Sequence, residues 1–191
     1  MKSDFAVERT FEGINFKDRP SEEKEYENCI FKTCDFSKAD LSRMRFIGCS
    51  FVNCDLSLAK IESTSLRDVR FQGCKMFGLR FDRCNAFGLS FSFEDCALNH
   101  STFFQTRIKK TVFRNSHLIE IDFSGCDLTG AVFDNCDLSG AMFDNTTIEK
   151  ADFRTSYNFS IDPERNKIKR AIFSSAGLAG LLLKYDIEIH T

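Results

Sequence analysis

Large apolar residues recur every five positions along most of the chain, a spacing that matches neither a β-strand nor an α-helix. Counted from the central apolar residue of each repeat, one series runs from Tyr26 to Phe91 and a second from Phe93 to Phe153. The phase therefore shifts by two residues near 91–93, and Ala86 is the weakest central residue. Each repeat reads in, out, in, out, out, which predicts a short extended segment followed by a turn.

The turn positions support this interpretation independently. Gly or Asn often stands two residues after the central residue, as at Gly125, Gly130 and Asn135. These residues adopt a positive φ at low cost. A chain of short straight sides joined by turns predicts a parallel β-solenoid, and the repeat alone leaves three or four sides per coil open.

Phenylalanine dominates the predicted interior, with 22 Phe and no Trp in 191 residues. The nine cysteines all stand two residues before a central residue, so we interpret them as small apolar packing residues. This favours neither a disulfide framework nor a metal centre, and no cofactor is predicted. The central residues expected to stack, one per coil, as structural core are Phe31, Phe51, Phe71, Phe113, Phe133 and Phe153.

The ends of the chain depart from the repeat and divide it into three segments. We assign 1–25 to an N-terminal cap and partial coil, 26–155 to the repeats, and 156–191 to a C-terminal strand, helix and dimerisation segment. The spacing of apolar residues after Ser175 predicts an amphipathic helix, and a short strand could follow it. Such a helix could simply cap its own solenoid, but we favour a homodimer through Leu178, Leu181, Leu182, Tyr185, Ile187 and Ile189.

The charge pattern argues against several function classes. The formal net charge is −2, which predicts no direct nucleic acid binding, and no apolar run is long enough to span a membrane. We find no phosphate loop or catalytic constellation, so we expect no enzymatic activity, no small-molecule substrate and a cytoplasmic location. Residues 60–83 carry six Lys or Arg, whereas 115–149 carry none and include Glu120, Asp122, Asp127, Asp134, Asp137, Asp144 and Glu149.

Those seven acids allow two interpretations. They could be the repeat's usual outward residues on all four faces, or an acidic surface that a protein partner recognises. The phrases CDFSKADLS, CDLTGAVF, CDLSGAMF and ADFRTS resemble the A-(D/N)-L-x-x motif of pentapeptide-repeat proteins over roughly 26–155. This resemblance implies an all-β fold, a right-handed quadrilateral parallel β-helix with 20 residues per coil, here followed by a C-terminal α-helix.

The C-terminal order of residues narrows the resemblance. The phrase N-x-x-IDP-x-x-N-x-I followed by a terminal helix resembles the subgroup of albicidin-resistance, microcin-immunity and quinolone-resistance (Qnr-like) proteins. That resemblance implies a dimeric, non-enzymatic DNA mimic that binds DNA gyrase, a type II topoisomerase, and protects it from an antibiotic or toxin. The alternative is an interaction scaffold for an unrelated protein partner, for which the basic residues of 67–83 would matter.

Overall fold

The computed structural model describes residues 4–18 and 23–188. Its strands are three or four residues long because each straight side of the coil ends in a turn after five residues. The strands are β1 (Phe5–Val7), β2 (Thr10–Glu12), β3 (Glu25–Glu27), β4 (Ile30–Lys32), β5 (Arg45–Ile47), β6 (Ser50–Val52), β7 (Ser65–Arg67), β8 (Val69–Gln72), β9 (Phe91–Glu94), β10 (Val112–Arg114) and β11 (Val132–Asp134).

All strand pairs are parallel, and they form two sheets in the orders β1-β3-β5-β7 and β11-β10-β9-β8-β6-β4-β2. Phe11 pairs with Phe31 and Phe31 with Phe51, so one coil takes 20 residues, or four repeats. Isolated parallel bridges such as Asp35 to Asp55 and Asp40 to Lys60 continue the same register on the two remaining sides. The fold is therefore the predicted four-sided parallel β-helix.

The four sides differ in their buried central residues. We number them as faces, each including the turn that follows it. Face 1 contains Tyr26 and Leu128, face 2 Phe31 and Phe133, face 3 Phe36 and Leu138, and face 4 Leu41 and Phe143.

Face 2 holds an uninterrupted column of phenylalanines inside the helix. The six core phenylalanines predicted from the sequence lie in this column and are at most 3% exposed. Neighbouring rings stack with centroids 4.6 to 5.3 Å apart, which matches the rise between coils. The column runs through Phe11, Phe31, Phe51, Phe71, Phe93, Phe113, Phe133, Phe153 and Phe173.

The two-residue shift arises earlier in the chain than the apolar pattern indicates. Lys60 still bridges to Arg80, as a backbone bond from Ser63 N to Arg83 O shows the same 20-residue step, but Val69 pairs with Phe91. The extra residues therefore lie in a loop at 84–90 on face 1. Ala86, counted as a central residue, is exposed in this loop, and the loop residue Phe87 is 73% exposed.

The predicted C-terminal α-helix is wrong. Two short 3-10 segments, Ala176–Leu181 and Leu183–Tyr185, take its place, and residues 186–188 form no strand. The reason is close contact with Phe159: a Cβ at Gly180 would overlap the Phe159 carbonyl oxygen and ring, and one at Gly177 would press on the same ring. Ile161 N also donates to Gly180 O over 3.0 Å, which fixes the segment against the last coil.

No helix within the described residues is long and apolar enough to cross a membrane.

Candidate partner-binding surface

The structure spreads the seven predicted acidic residues over all four faces. Parallel bridges define these positions, as where Asp127 pairs with Thr147 and Asp137 with Tyr157. The seven therefore do not form one stripe. Asp127 and Glu149 lie on face 1, Asp134 on face 2, Glu120 and Asp137 on face 3, and Asp122 and Asp144 on face 4.

Four of these acids have a basic neighbour on an adjacent coil. The four ion pairs are His100 Nδ1 to Glu120 Oε2 at 3.1 Å, Lys109 Nζ to Asp127 Oδ2 at 3.1 Å, Arg114 Nε to Asp134 Oδ2 at 3.2 Å and Arg165 Nη2 to Asp144 Oδ1 at 2.6 Å. The His100 pair requires a protonated imidazole. All four lie at the surface, where solvent screening keeps such pairs weak, so the carboxylates remain available to a partner.

Asp137 shows a second role for acids placed just before a central residue. The Ser139 amide and hydroxyl both donate to Asp137 Oδ1, at 3.1 and 2.6 Å, and this closes the turn. Burial alone would raise the pKa of Asp137, but these bonds and one from Asn158 outweigh it and hold that pKa below its ordinary value. Such acids stabilise turns as well as charging the surface.

The faces differ strongly in charge over the coils that follow the loop. Outside face 1, residues 92–165 carry ten Asp or Glu and three Lys or Arg. We call faces 2, 3 and 4 of this segment the acidic faces. Adjacent coils lie about 4.8 Å apart, well within the ~8 Å screening length at physiological salt, so the potentials of neighbouring carboxylates add.

Face 1 of the same coils has the opposite sign. Its outward positions, in segments 107–110, 127–130, 147–150 and 167–170, carry seven Lys or Arg and two acids, an excess of five positive charges. We call this surface the basic face. Asp127 and Glu149, both counted above as part of an acidic surface, lie within it.

The sequence analysis did not find the basic face. Its residues come from four separate stretches of chain, and only the 20-residue step, counted after the 84–90 loop, places them together. By contrast, the basic residues of 60–83 lie on different faces: Lys60 and Arg80 on face 4, Arg67 on face 1 and Arg70 on face 2. They do not form one patch.

A cavity of about 690 Å³ opens where the 84–90 loop leaves the helix. Arg80, Arg83 and Arg107 line it together with Phe104, which is 45% exposed. Asp82 takes a 2.7 Å ion pair from Arg80 and lies 3.5 Å from Arg83 Nε. The cavity thus combines an exposed aromatic ring with cationic side chains.

The cysteines line the interior, and eight of the nine are buried, with Cys84 half-buried beside the loop. Burial raises the pKa of Cys49 to about 11 and that of Cys136 to about 12, so these thiols stay neutral at pH 7. Within the described part of the chain, no three His, Cys, Asp or Glu side chains come close enough to hold a metal ion.

The C-terminal end exposes part of the predicted dimer surface. Leu178 is 48% exposed, Tyr185 52% and Ile187 55%, while Leu181 packs against the core and Leu182 is half-buried. Ile189 lies outside the described residues. The exposed side chains project from an end of the rod that is otherwise fixed by Lys184, which forms ion pairs with Asp162 and Glu164 at 2.8 and 2.7 Å.

A family model described as a pentapeptide repeat region matches residues 24–92 and 80–153. The two matches together cover well over half of the chain and meet at the segment that contains the loop. The chain therefore belongs to the pentapeptide-repeat family. No curated protein matches it in sequence.

Solved structures share its fold. A trypsin-treated variant of QnrB1, a plasmid-mediated fluoroquinolone resistance protein, superposes with a TM-score of 0.58 at 18% identity, over 98% of this chain and 99% of that chain. HetL, a pentapeptide repeat protein involved in heterocyst differentiation regulation from the cyanobacterium Nostoc, matches with a TM-score of 0.38 at 15% identity, over 91% and 85% of the two chains. Proteins with this fold thus have different roles.

Proposed function

We propose that this protein is a non-enzymatic DNA mimic that binds DNA gyrase or a related type II topoisomerase and protects it from an antibiotic or toxin. The observation that carries the proposal is the sign of the acidic faces, with ten carboxylates against three basic side chains on a rigid rod. Family membership and the fold shared with QnrB1 support it.

The density of carboxylates fits a surface that receives duplex DNA. The acidic faces span somewhat under four coils, or roughly 18 Å of rod at about 4.8 Å per coil. Ten carboxylates over that length give about one per 1.8 Å, and duplex DNA carries one negative charge per about 1.7 Å of axis. The backbone bonds between coils hold these charges in fixed rows, so binding orders little of the protein.

A gyrase supercoiling assay, run with and without a fluoroquinolone, tests the proposal. We expect the protein to change supercoiling or to relieve inhibition by the drug at micromolar concentration. A variant with Glu120→Gln and Asp144→Asn should need several-fold more protein for the same effect, because it removes two charges from the acidic faces.

The matched control removes the same two residue types from the basic face, Asp127→Asn and Glu149→Gln. It should keep the activity of the unaltered protein. Indifference of gyrase at tens of micromolar would contradict the proposal, and equal loss in both variants would remove the role of the acidic faces.

We propose that the protein forms a homodimer through its C-terminal end. The support is the exposure of Leu178, Leu183 and Ile187, which are 48%, 61% and 55% exposed beside one another in the chain. Sedimentation equilibrium should give twice the chain mass. Leu178→Glu with Leu183→Glu should give the monomer, and a monomeric unaltered protein would contradict the interface.

A second candidate function is a scaffold for an unrelated protein. It is favoured by the cavity beside the loop, where Phe87 is 73% and Phe104 45% exposed, because exposed aromatic side chains are typical anchors of protein interfaces. Loss of partner capture in a Phe87→Ser, Phe104→Ser variant that still affects gyrase would support this separate function.

A further inference from the structure

We propose that the basic face binds the sugar–phosphate backbone of a nucleic acid duplex, a function that goes beyond the proposed gyrase interaction. The fold assembles this surface from four stretches of chain. Thr147 bridges to Asp127 on one side and to Lys167 on the other, and Asp127 bridges in turn to Arg107, so these four residues form one column.

Most of the cationic groups of the basic face are free to receive an anion. Lys109 pairs with Asp127, at 3.1 Å. The remaining six are exposed, and none forms an ion pair with a carboxylate in the described part of the chain. These six are Arg107, Lys110, Lys150, Lys167, Lys169 and Arg170.

The cations form two groups with the acids between them. One group is 107–110 and the other is 167–170 with Lys150 beside it, as Lys150 N donates to Lys169 O over 3.1 Å. The two groups lie three coils apart, or about 14 Å. A duplex presents two phosphate strands with a groove between them, so each cationic group can meet one strand while Asp127 and Glu149 face the groove.

The composition of the basic face favours a nucleic acid over a protein or a membrane. Its outward positions hold only charged residues, Thr129, Thr147 and Gly130, without an aromatic or aliphatic side chain. Protein interfaces are depleted in Lys and depend on buried aromatic anchors. Stable attachment to a membrane usually adds an apolar element to a basic patch. Lys, Arg and Thr are typical ligands of phosphate oxygens, and such contacts are independent of base sequence.

Fluorescence anisotropy with a labelled 20-base-pair DNA duplex tests this proposal. With about five phosphates neutralised, log K should fall with log salt with a slope of roughly −4.5. Neutralising the turn residues in Lys110→Gln, Lys150→Gln, Arg170→Gln should weaken binding at least tenfold and reduce the slope by about 2.7. Gln is compatible with the positive φ of these turns because Gln105 occupies the same turn position at φ 56°.

The matched control neutralises three exposed cations on other faces, Lys32→Gln, Lys38→Gln and Arg43→Gln, with the same change in net charge. It should bind the duplex within twofold of the unaltered protein. Equal weakening in both variants would overturn the proposal, as would the absence of binding at 50 mM salt or tighter binding to polyglutamate or to anionic vesicles. Parallel titrations with DNA and RNA duplexes identify which backbone is preferred. Because no gyrase is present, this result is independent of the supercoiling assay.

Discussion

At the residue scale, the position two before each central residue supplies a hydrogen bond as well as packing. Thr146 Oγ1 donates to Phe123 O over 2.9 Å, and Cys136 Sγ lies 3.4 Å from Phe113 O, in each case 23 residues earlier. The sequence analysis interpreted the cysteines here as small apolar residues, and their burial agrees with that. The thiol bonds were not predictable from the repeat, because the acceptor belongs to the coil below.

Ser156 tests the value of this bond. Its hydroxyl donates to Phe133 O over 2.6 Å in a site that is 6% exposed. Ser156→Ala should lower the free energy of unfolding by about 1–3 kcal/mol, because it leaves a buried carbonyl without its donor. Ser156→Cys should cost less than half as much, since Cys136 fills the same position one coil earlier. Urea denaturation measures both, and a cysteine variant less stable than the alanine variant would contradict the role of the donor.

At the element scale, the straight sides were predictable and the interruptions were not. The five-residue pattern identified the turns, and Gly125, Gly130 and Asn135 indeed have positive φ. The 84–90 loop escaped because Ala86 keeps the five-residue phase although its side chain is exposed. Apolar spacing alone does not distinguish a buried central residue from one in a loop of similar length.

The C-terminal segment shows a related difficulty. Its leucines follow helical spacing, yet Gly177 and Gly180 are three residues apart and both face Phe159, which suits one turn of 3-10 helix. The sequence analysis noted the glycines as an obstacle to a helix. Their function, close approach to the last coil, depends on a residue about 20 positions earlier and could not be inferred from the local pattern.

Gly180→Val tests that close approach. The new side chain would overlap the backbone and ring of Phe159, so the segment should detach at a cost of about 1–3 kcal/mol. Trypsin should then cleave faster after Lys184, whose ion pairs with Asp162 and Glu164 depend on the seated segment. Ala179→Val is the matched control, since Ala179 is exposed, and it should leave the cleavage rate unchanged. Equal acceleration in both variants would show that the glycine contact is unimportant.

At the scale of the whole molecule, folding separates charges that are mixed along the chain. A net charge of −2 conceals an excess of five positive charges on the basic face and ten carboxylates on the acidic faces. The sequence predicted the outward acids but not this separation, because the repeat left the number of sides open. The two extra residues of the loop also change which face each later residue occupies, as the pairing of Val69 with Phe91 shows.

This separation makes the effect of acid a test of two opposing forces. Repulsion among carboxylates would raise their pKa values, whereas hydrogen bonds and cations lower them. The pKa of Asp35 lies below its ordinary value through bonds from Ser37, and that of Asp152 through bonds from Arg154. The pKa of Asp137 is also lowered, as described above. Local hydrogen bonding therefore outweighs repulsion at these three sites.

A carboxylate with a lowered pKa in the folded state stabilises the protein above its unfolded-state pKa and loses this contribution as the pH falls through the lower folded value. The urea midpoint should therefore be flat from pH 7 to about 5 and fall below about pH 4, where unfolded carboxylates bind protons first. Asp137→Asn should show a shallower decline, while Asp95→Asn, at an exposed turn position on face 2, should decline like the unaltered protein. A midpoint that rises on acidification would mean that repulsion on the acidic faces dominates the stability of the rod.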